Sequence, residues 1–286
     1  MTAGPRRHPD PRGTRLAGHA IVVAGAGSSG DFLGTGAATA VLLAAQGARV
    51  GVLDRDPARA RHTAELAEDQ GGTAEALVAD VADEAALTAA VDAFAARAGR
   101  LDGVVANTAI STAGPGATTE TQRWIEVLSV NLIGTHNLAR AAHPHLVAGG
   151  GGSIVTVSSV AANRGFGSGA YGASKGGIQS LTVDLAYQWG RDGIRVNCLV
   201  PGHLHTPIGD IGGEAGRAAR RAANLLGTEG DAWDVAWAAL FLLGPESGWI
   251  TAAVLPVDAG TTAATALGMA ALPGRPQHPA GNDDPV

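Results

Sequence analysis

The sequence predicts an α/β fold: one doubly wound, mostly parallel sheet of seven strands, with helices on both faces. Three observations carry this expectation. Short β-rich apolar runs alternate with Ala-rich helical patterns along the chain. The first run ends in a glycine-rich turn that opens a helix. Several runs stop at Asp, Asn, Ser or Pro, which gathers polar groups beyond the carboxyl ends of the strands, where such sheets bind ligands.

Residues 19–24 form the first strand, followed by Gly25, Gly27, Gly30, Gly34 and Gly36 and a helix over 37–46 that Gly47 stops. Strand, glycine-rich turn and helix open a nucleotide-binding βαβ unit. The glycines let backbone N–H groups approach a pyrophosphate at the helix N-terminus, where the dipole favours negative charge. Residues 48–54 form the second strand, which stops at Asp54, eighteen residues after Gly36. A carboxylate there accepts from both ribose hydroxyls of adenosine and repels a 2′-phosphate, favouring NAD over NADP; Arg55, the next residue, works against that exclusion. Asp54 capping a helix near Pro57 is compatible with this role.

The alternation continues through a helix at 58–70, a strand at 74–78 leading to Asp80-Val81, and a helix at 84–98. A buried strand at 101–106 ends at Asn107, and a long helix over 121–148 contains Asn131 and divides near Gly134 or Pro144. Strand 153–158 precedes the helix from Tyr171 to Trp189, and strand 193–200 is closed by Pro201-Gly202. A looser segment, 203–230, leads to the helix 232–243 and the last strand, 253–257.

With 286 residues and 45% hydrophobic content, the chain can bury a full core. We expect one domain over 16–262, a basic, Pro-rich disordered tail over 1–15 and a second tail over 263–286. The net charge of -6 comes with no basic stripe, which argues against nucleic acid as a partner. No apolar run approaches the ~18 residues of a membrane span, and no apolar segment follows the basic N-terminus as in a secretory signal. Cys198 is the single cysteine, so no intrachain disulfide and no zinc cluster are expected, and a cytoplasmic location follows as the default. His203 and His205 alternate along an extended piece, so one of them at a time faces a site; no third ligand accompanies them, and no metal is expected.

The candidate catalytic stretch is Tyr171-Gly172-Ala173-Ser174-Lys175, twelve residues after Ser159. A spacing of four puts the Tyr phenol and the Lys ammonium on one helical face. A cation held there stabilises phenolate and pulls the Tyr pKa down, from about 10 toward a pH at which it trades protons. Of the 20 basic residues, Lys175 is the single Lys, placed where a compact point charge differs from a guanidinium fork.

These elements together resemble the short-chain dehydrogenase/reductase family in its single-domain Rossmann form, over roughly residues 15–262. The resemblance rests on Gly25…Gly34-Thr35-Gly36, Asp54, Asp80-Val81, Asn107, Asn131, Ser158-Ser159, Tyr171-x-x-x-Lys175, Pro201-Gly202 with Thr206, Asp234-Val235-Ala236 and Val257-Asp258-Ala259-Gly260. It implies an NAD-dependent alcohol dehydrogenase or ketone reductase, with Tyr171 as general acid/base and Lys175 lowering its pKa and binding the nicotinamide ribose. Ser159 would hold the substrate oxygen, and Asn131 a water linking Lys175 to solvent; the bland alternative for Asn131 is a polar residue satisfying a helix bend near Gly134. Gly25, Ser29, Gly34, Gly36, Asp54, Arg55, Asp80, Val81, Asn107, Ala109, Tyr171, Lys175, Pro201, Gly202, Leu204 and Thr206 are the implied cofactor-binding residues. Homotetramers or homodimers through the helices of Asn131 and Tyr171 are implied too, with Trp189, Trp233, Trp237 and Trp249 as contacts or core residues.

Four departures stand out. Eight residues, 26–33, separate Gly25 from Gly34, five more than the family's turn carries; the extra stretch could fold over the cofactor or set Phe32 against substrate, with Asp31 facing solvent or an Arg. Ala24 replaces the usual Thr before the first glycine, and Ala106-Asn107-Thr108-Ala109 keeps one Asn, with Ala109 tighter than Gly. The interval from Ser159 to Tyr171 is one residue short, which Ser158 would restore, although strand alignment favours Ser159. Substrate selection falls to 203–230, to Asn163, Arg164 and Phe166, and to 112–117, for a secondary alcohol or ketone of modest size. Arg217, Arg220 and Arg221 form a basic face, either solvated or turned to an acidic substrate. An isomerase or cyclase using bound NAD, and a dinucleotide-sensing protein without turnover, are the alternative functions.

Overall fold

The computed structural model describes residues 10, 12–30, 32–111, 119–165, 167–207 and 212–270. Seven strands form one sheet: β1 (Ala20–Ala24), β2 (Arg49–Asp54), β3 (Thr73–Val78), β4 (Gly103–Ala106), β5 (Gly152–Val157), β6 (Ile194–Pro201) and, after a small pair described below, β9 (Val254–Val257). Their spatial order is β3-β2-β1-β4-β5-β6-β9, and every neighbouring pair is parallel. The order reverses between β1 and β4, which opens a crevice beyond their carboxyl ends. β1 and β4 are buried along their whole length, as strands covered on both faces must be.

Helices α1 (Thr35–Ala45), α2 (Pro57–Asp69) and α8 (Ala232–Leu243) supply one face. Their Leu42, Leu43, Ala60, Ala64, Val235 and Leu240 pack with Val23, Val50 and Val155. On the other face, α3 (Glu84–Ala98), α5 (Gly134–Ala148) and α6 (Gly169–Trp189) bring Leu87, Phe94, Leu138, Leu146 and Leu185 against Val22, Val104 and Ile154. Local chemistry sets the helix starts. Asp56 caps α2, its Oδ1 accepting from the N–H groups of Ala58 (2.9 Å) and Arg59 (3.2 Å), with Pro57 at the first helical position. Asp231 and Asp234 form a reciprocal capping box on α8. The cap expected of Asp54 thus falls two residues later, on Asp56.

The long helix is divided where Gly134 suggested. α4 (Thr121–Leu128) passes through one π-helical turn, Ser129–Ile133, before α5 begins, while Pro144 sits inside α5. The described residues of 203–230 carry more regular structure than expected: β7 (Leu204–His205) pairs in parallel with β8 (Gly230–Asp231), and α7 (Gly213–Ala222) lies between them in the chain. Residues near both ends of the described chain contact the domain or form structure of their own. The Gly13 N–H donates to the Ala45 carbonyl, Leu16 is fully buried, Arg15 pairs with Glu246 at 2.8 Å, and α9 (Ala266–Ala270) follows the last strand. Expectations for Asp31, 112–117 and Phe166 lie outside the described residues. No helix among the described residues is long and apolar enough to cross a membrane, and no group of His, Cys, Asp and Glu among them could hold a metal.

Candidate active site

A cavity of about 790 Å³ lies beyond the carboxyl ends of β1, β2, β4, β5 and β6. Gly25, Ser29, Gly34, Gly36, Asp54, Arg55, Asp80, Val81, Asn107, Ala109, Ser159, Tyr171, Lys175, Pro201, Gly202, Leu204 and Thr206 all line it. Of the residues named from sequence as catalytic or cofactor-binding, Asn131 alone is not among its lining residues.

The glycine-rich turn is built around backbone contact. Gly25 has φ +69, and a Cβ on Gly36 would stand 2.1 Å from the Gly25 carbonyl oxygen, so neither position admits a side chain. Asn107 locks the turn to β4: its Nδ2 donates to the Gly25 carbonyl (3.2 Å), and its Oδ1 accepts from the Thr35 hydroxyl (2.8 Å). Gly34 caps α1 with no side-chain hydrogen bond, and a Cβ there would meet nothing within 4 Å. The first N–H groups of α1 thus open onto unfilled space at the positive end of the helix dipole, a cradle for a pyrophosphate. At the end of β2, Asp54 Oδ2 accepts from the Gly27 N–H (3.1 Å) and Oδ1 from the Asp56 N–H (3.0 Å). Those bonds fix the carboxylate at the cavity wall and leave lone pairs for ribose hydroxyls.

Ser159, Tyr171 and Lys175 meet at the other end. The Ser159 and Tyr171 hydroxyls face the same end of the cavity, close enough for Ser159 to favour the ionised phenol. Ser159 Oγ also accepts from the Ala161 N–H at 3.2 Å, which starts a short 3₁₀ turn. Ser158 is occupied elsewhere: its hydroxyl donates to the Lys175 carbonyl (2.8 Å) and accepts from Gln179 Nε2 (3.0 Å). Lys175 Nζ lies 5.6 Å from the Tyr171 ring centroid and donates to the Val157 carbonyl at 2.7 Å.

The protonation balance differs from the expected one. Burial pushes the Tyr171 phenol up, and the Ser159 hydrogen bond offsets part of this. Lys175, 2% exposed, is pushed down to about 8 by burial, with Cys198 acting the other way. Burial also pushes the Cys198 thiol up, so it is neutral near pH 7 and gives Lys175 no counter-charge. The ammonium bonds to a carbonyl instead of the phenol, and desolvation sets the direction of the phenol's shift. Tyr171 therefore holds its proton in this state.

Asn131 is fully buried in the π-helical turn. Its Oδ1 accepts from the Ile110 N–H (2.8 Å), while Nδ2 donates to the Ile110 carbonyl (2.9 Å) and Ser174 Oγ (3.0 Å). Its amide thus ties a cavity-lining loop to α6. Sequence reasoning passed over Thr35, Ile110 and Arg59, which also line the cavity. Thr35 had a signal in its place between two turn glycines; Ile110 acts through its backbone and had none. His203 lines the cavity, and His205 packs on Phe32 with ring centroids 4.7 Å apart. The expected basic face of α7 is an ion-pair cluster: Arg217 and Arg220 bind Glu229 at 2.8 and 2.9 Å, and Arg221 binds Glu214 at 2.6 Å. Arg164 Nη2 donates to the Thr262 carbonyl.

Residues 32–262 match a family model described as enoyl-(acyl carrier protein) reductase. The chain is 38% identical, over 86% of its length and 98% of the relative's, to an uncharacterised short-chain type dehydrogenase/reductase of Sinorhizobium fredii. A putative short-chain dehydrogenase/reductase from Burkholderia xenovorans superposes with a TM-score of 0.83 at 34% identity, covering 88% of this chain and 99% of that one. A gluconate 5-dehydrogenase from Burkholderia cenocepacia, solved with NADP and tartrate, gives 0.81 at 31% identity, covering 90% and 98%. With the parallel sheet, the glycine cradle and the Ser159–Tyr171–Lys175 cluster, these matches make the chain a member of the short-chain dehydrogenase/reductase family, enzymes that use nicotinamide dinucleotides.

Proposed function

We propose that the protein is an NAD(H)-dependent oxidoreductase that interconverts a secondary alcohol and a ketone. The observation that carries this reading is the Ser159–Tyr171 hydroxyl pair, with Lys175 buried beside it, in one cavity with the α1 cradle and Asp54. The bound nicotinamide would supply or accept the hydride at the carbinol carbon. Asp54 would hold the adenosine ribose, Gly34 to Gly36 the pyrophosphate, and Pro201, Gly202, Leu204 and Thr206 the nicotinamide end, with Lys175 at its ribose.

Ser159 would donate to the substrate oxygen and hold it against Tyr171. In ketone reduction Tyr171 gives its proton to that oxygen; in alcohol oxidation it takes the proton back. Its raised pKa in the present state suits the donor role. A ribose hydroxyl near Lys175 would give the ammonium a second acceptor besides the Val157 carbonyl and bring its charge to bear on the phenol. In this reading Asn131 would serve the relay through its backbone: its amide is committed to Ile110 and Ser174, so a relay water would sit on its carbonyl, which also accepts from the Thr135 hydroxyl at 2.7 Å. Preference for NAD over NADP rests on Asp54; the NADP in the gluconate 5-dehydrogenase complex belongs to that protein. Exposed Ile125, Val183 and Tyr187 on α4 and α6 support assembly as a homodimer or homotetramer, and the lone, buried Cys198 suits a cytoplasmic location.

The experiment is turnover of a panel of secondary alcohols and ketones with NAD(H) and NADP(H), by wild type and Tyr171→Phe. Turnover with NAD(H) that Tyr171→Phe abolishes supports the reading. Equal turnover by the variant would remove Tyr171 as acid/base.

A further inference from the structure

The glycine-rich turn is longer than a phosphate cradle needs, and its extra residues join the two rims of the cavity. At the β2 rim, Gly27 is bonded to Asp54 and the Ser28 N–H donates to the Arg59 carbonyl at 3.3 Å. The Ser28 hydroxyl donates to the Gly30 carbonyl at 2.7 Å, which turns the segment back on itself. At the opposite rim Phe32 meets His205 of β7, with the ring planes tilted by 41°. Leu33 then packs on the core and the chain enters α1. Phe32 is 44% exposed, so burial is not what places it; its aromatic partner across the cavity is. It lines the cavity, as does Leu204, the neighbour of His205.

We propose that Phe32 and His205 form a rim-to-rim gate, which the dinucleotide parts on its way in and again on its way out. This rests on the reading of the cavity as a nicotinamide dinucleotide site. A contact present before and after binding, and broken only during passage, affects rates and leaves the equilibrium alone. Removing it therefore raises kon and koff together and leaves Kd unchanged. Because the two rings make one contact, removing either has the effect of removing both.

Stopped-flow binding of NADH, and its displacement by excess NAD, would be followed in wild type, Phe32→Ala, His205→Ala and the double variant. Circular dichroism matching wild type establishes that each variant is folded. Each single variant is expected to raise both rates about three- to tenfold, the range of one aromatic contact, and the double variant to add nothing. NADH binding with unchanged rates in folded Phe32→Ala would overturn the gate and leave the dinucleotide reading standing. A rise in koff alone would also overturn it, since Phe32 would then touch the nucleotide. Failure of wild type to bind NADH or NADPH would overturn both.

Discussion

Lys175 sets function against stability, and replacing it by Met tests the electrostatics of the site. Its ammonium is buried with the Val157 carbonyl as its hydrogen-bond acceptor and no counter-charge from the neutral Cys198. The fall from 10.5 to about 8, at about 1.4 kcal/mol per tenfold change in proton affinity, makes the buried charge cost about 3 kcal/mol. Met fills much of the same volume without the charge, but leaves the Val157 carbonyl short of a donor, at about 1 kcal/mol. Lys175→Met is thus expected to stabilise the nucleotide-stripped protein by about 2 kcal/mol near neutral pH, while abolishing turnover.

The pH dependence has a definite sign. Below about 8 Lys175 is protonated in both states and the cost is borne in full; between about 8 and 10.5 the unfolded chain still holds a proton that the folded protein has released. Wild-type stability therefore rises with pH through that window, and the advantage of the Met variant shrinks. Urea unfolding of both proteins near neutral pH and near the top of the window measures this. A Met variant less stable than wild type near neutral pH, or a difference that ignores pH, would refute the reasoning.

Tyr171→Phe is expected to lower kcat by about 10²- to 10⁴-fold with NADH affinity held within about twofold, checked by steady-state kinetics beside a binding titration. Asp54→Ala removes the ribose acceptor and the Gly27 partner; the ratio of NADPH to NADH dissociation constants should narrow by about tenfold, one well-made hydrogen bond to a charged group. Gly36→Ala forces a methyl against the Gly25 carbonyl, and thermal unfolding should show a loss of about 1–3 kcal/mol together with lost NADH binding.

The fold was legible because the pattern is redundant. Each strand is a separate apolar run, and Asp54, Asn107, Ser159 and Pro201 mark where runs end, so their convergence followed from the parallel sheet alone. The cavity-lining residues inherited that clarity. Other features depend on tertiary surroundings that no local pattern encodes. The low Lys175 pKa depends on desolvation, which spacing on a helix cannot report. Asn131 was placed in the proton relay, but its amide is taken up by Ile110, a partner twenty-one residues away that acts through its backbone. The arginines of α7 read as a basic face because Glu229, which pairs with all three, lies beyond the helix. Phe32 was visible as an oddity, but its pairing with His205 was not, since nothing in sequence joins a turn after β1 to a strand after β6.

The most direct test of the account is an equilibrium titration of the nucleotide-stripped protein with NADH and with NADPH, followed by tryptophan quenching and nicotinamide emission. NADH is expected to bind, and NADPH to bind at least about tenfold more weakly, since a carboxylate at Asp54 would accept from ribose hydroxyls and repel a phosphate. Binding of neither nucleotide would contradict the account's central claim.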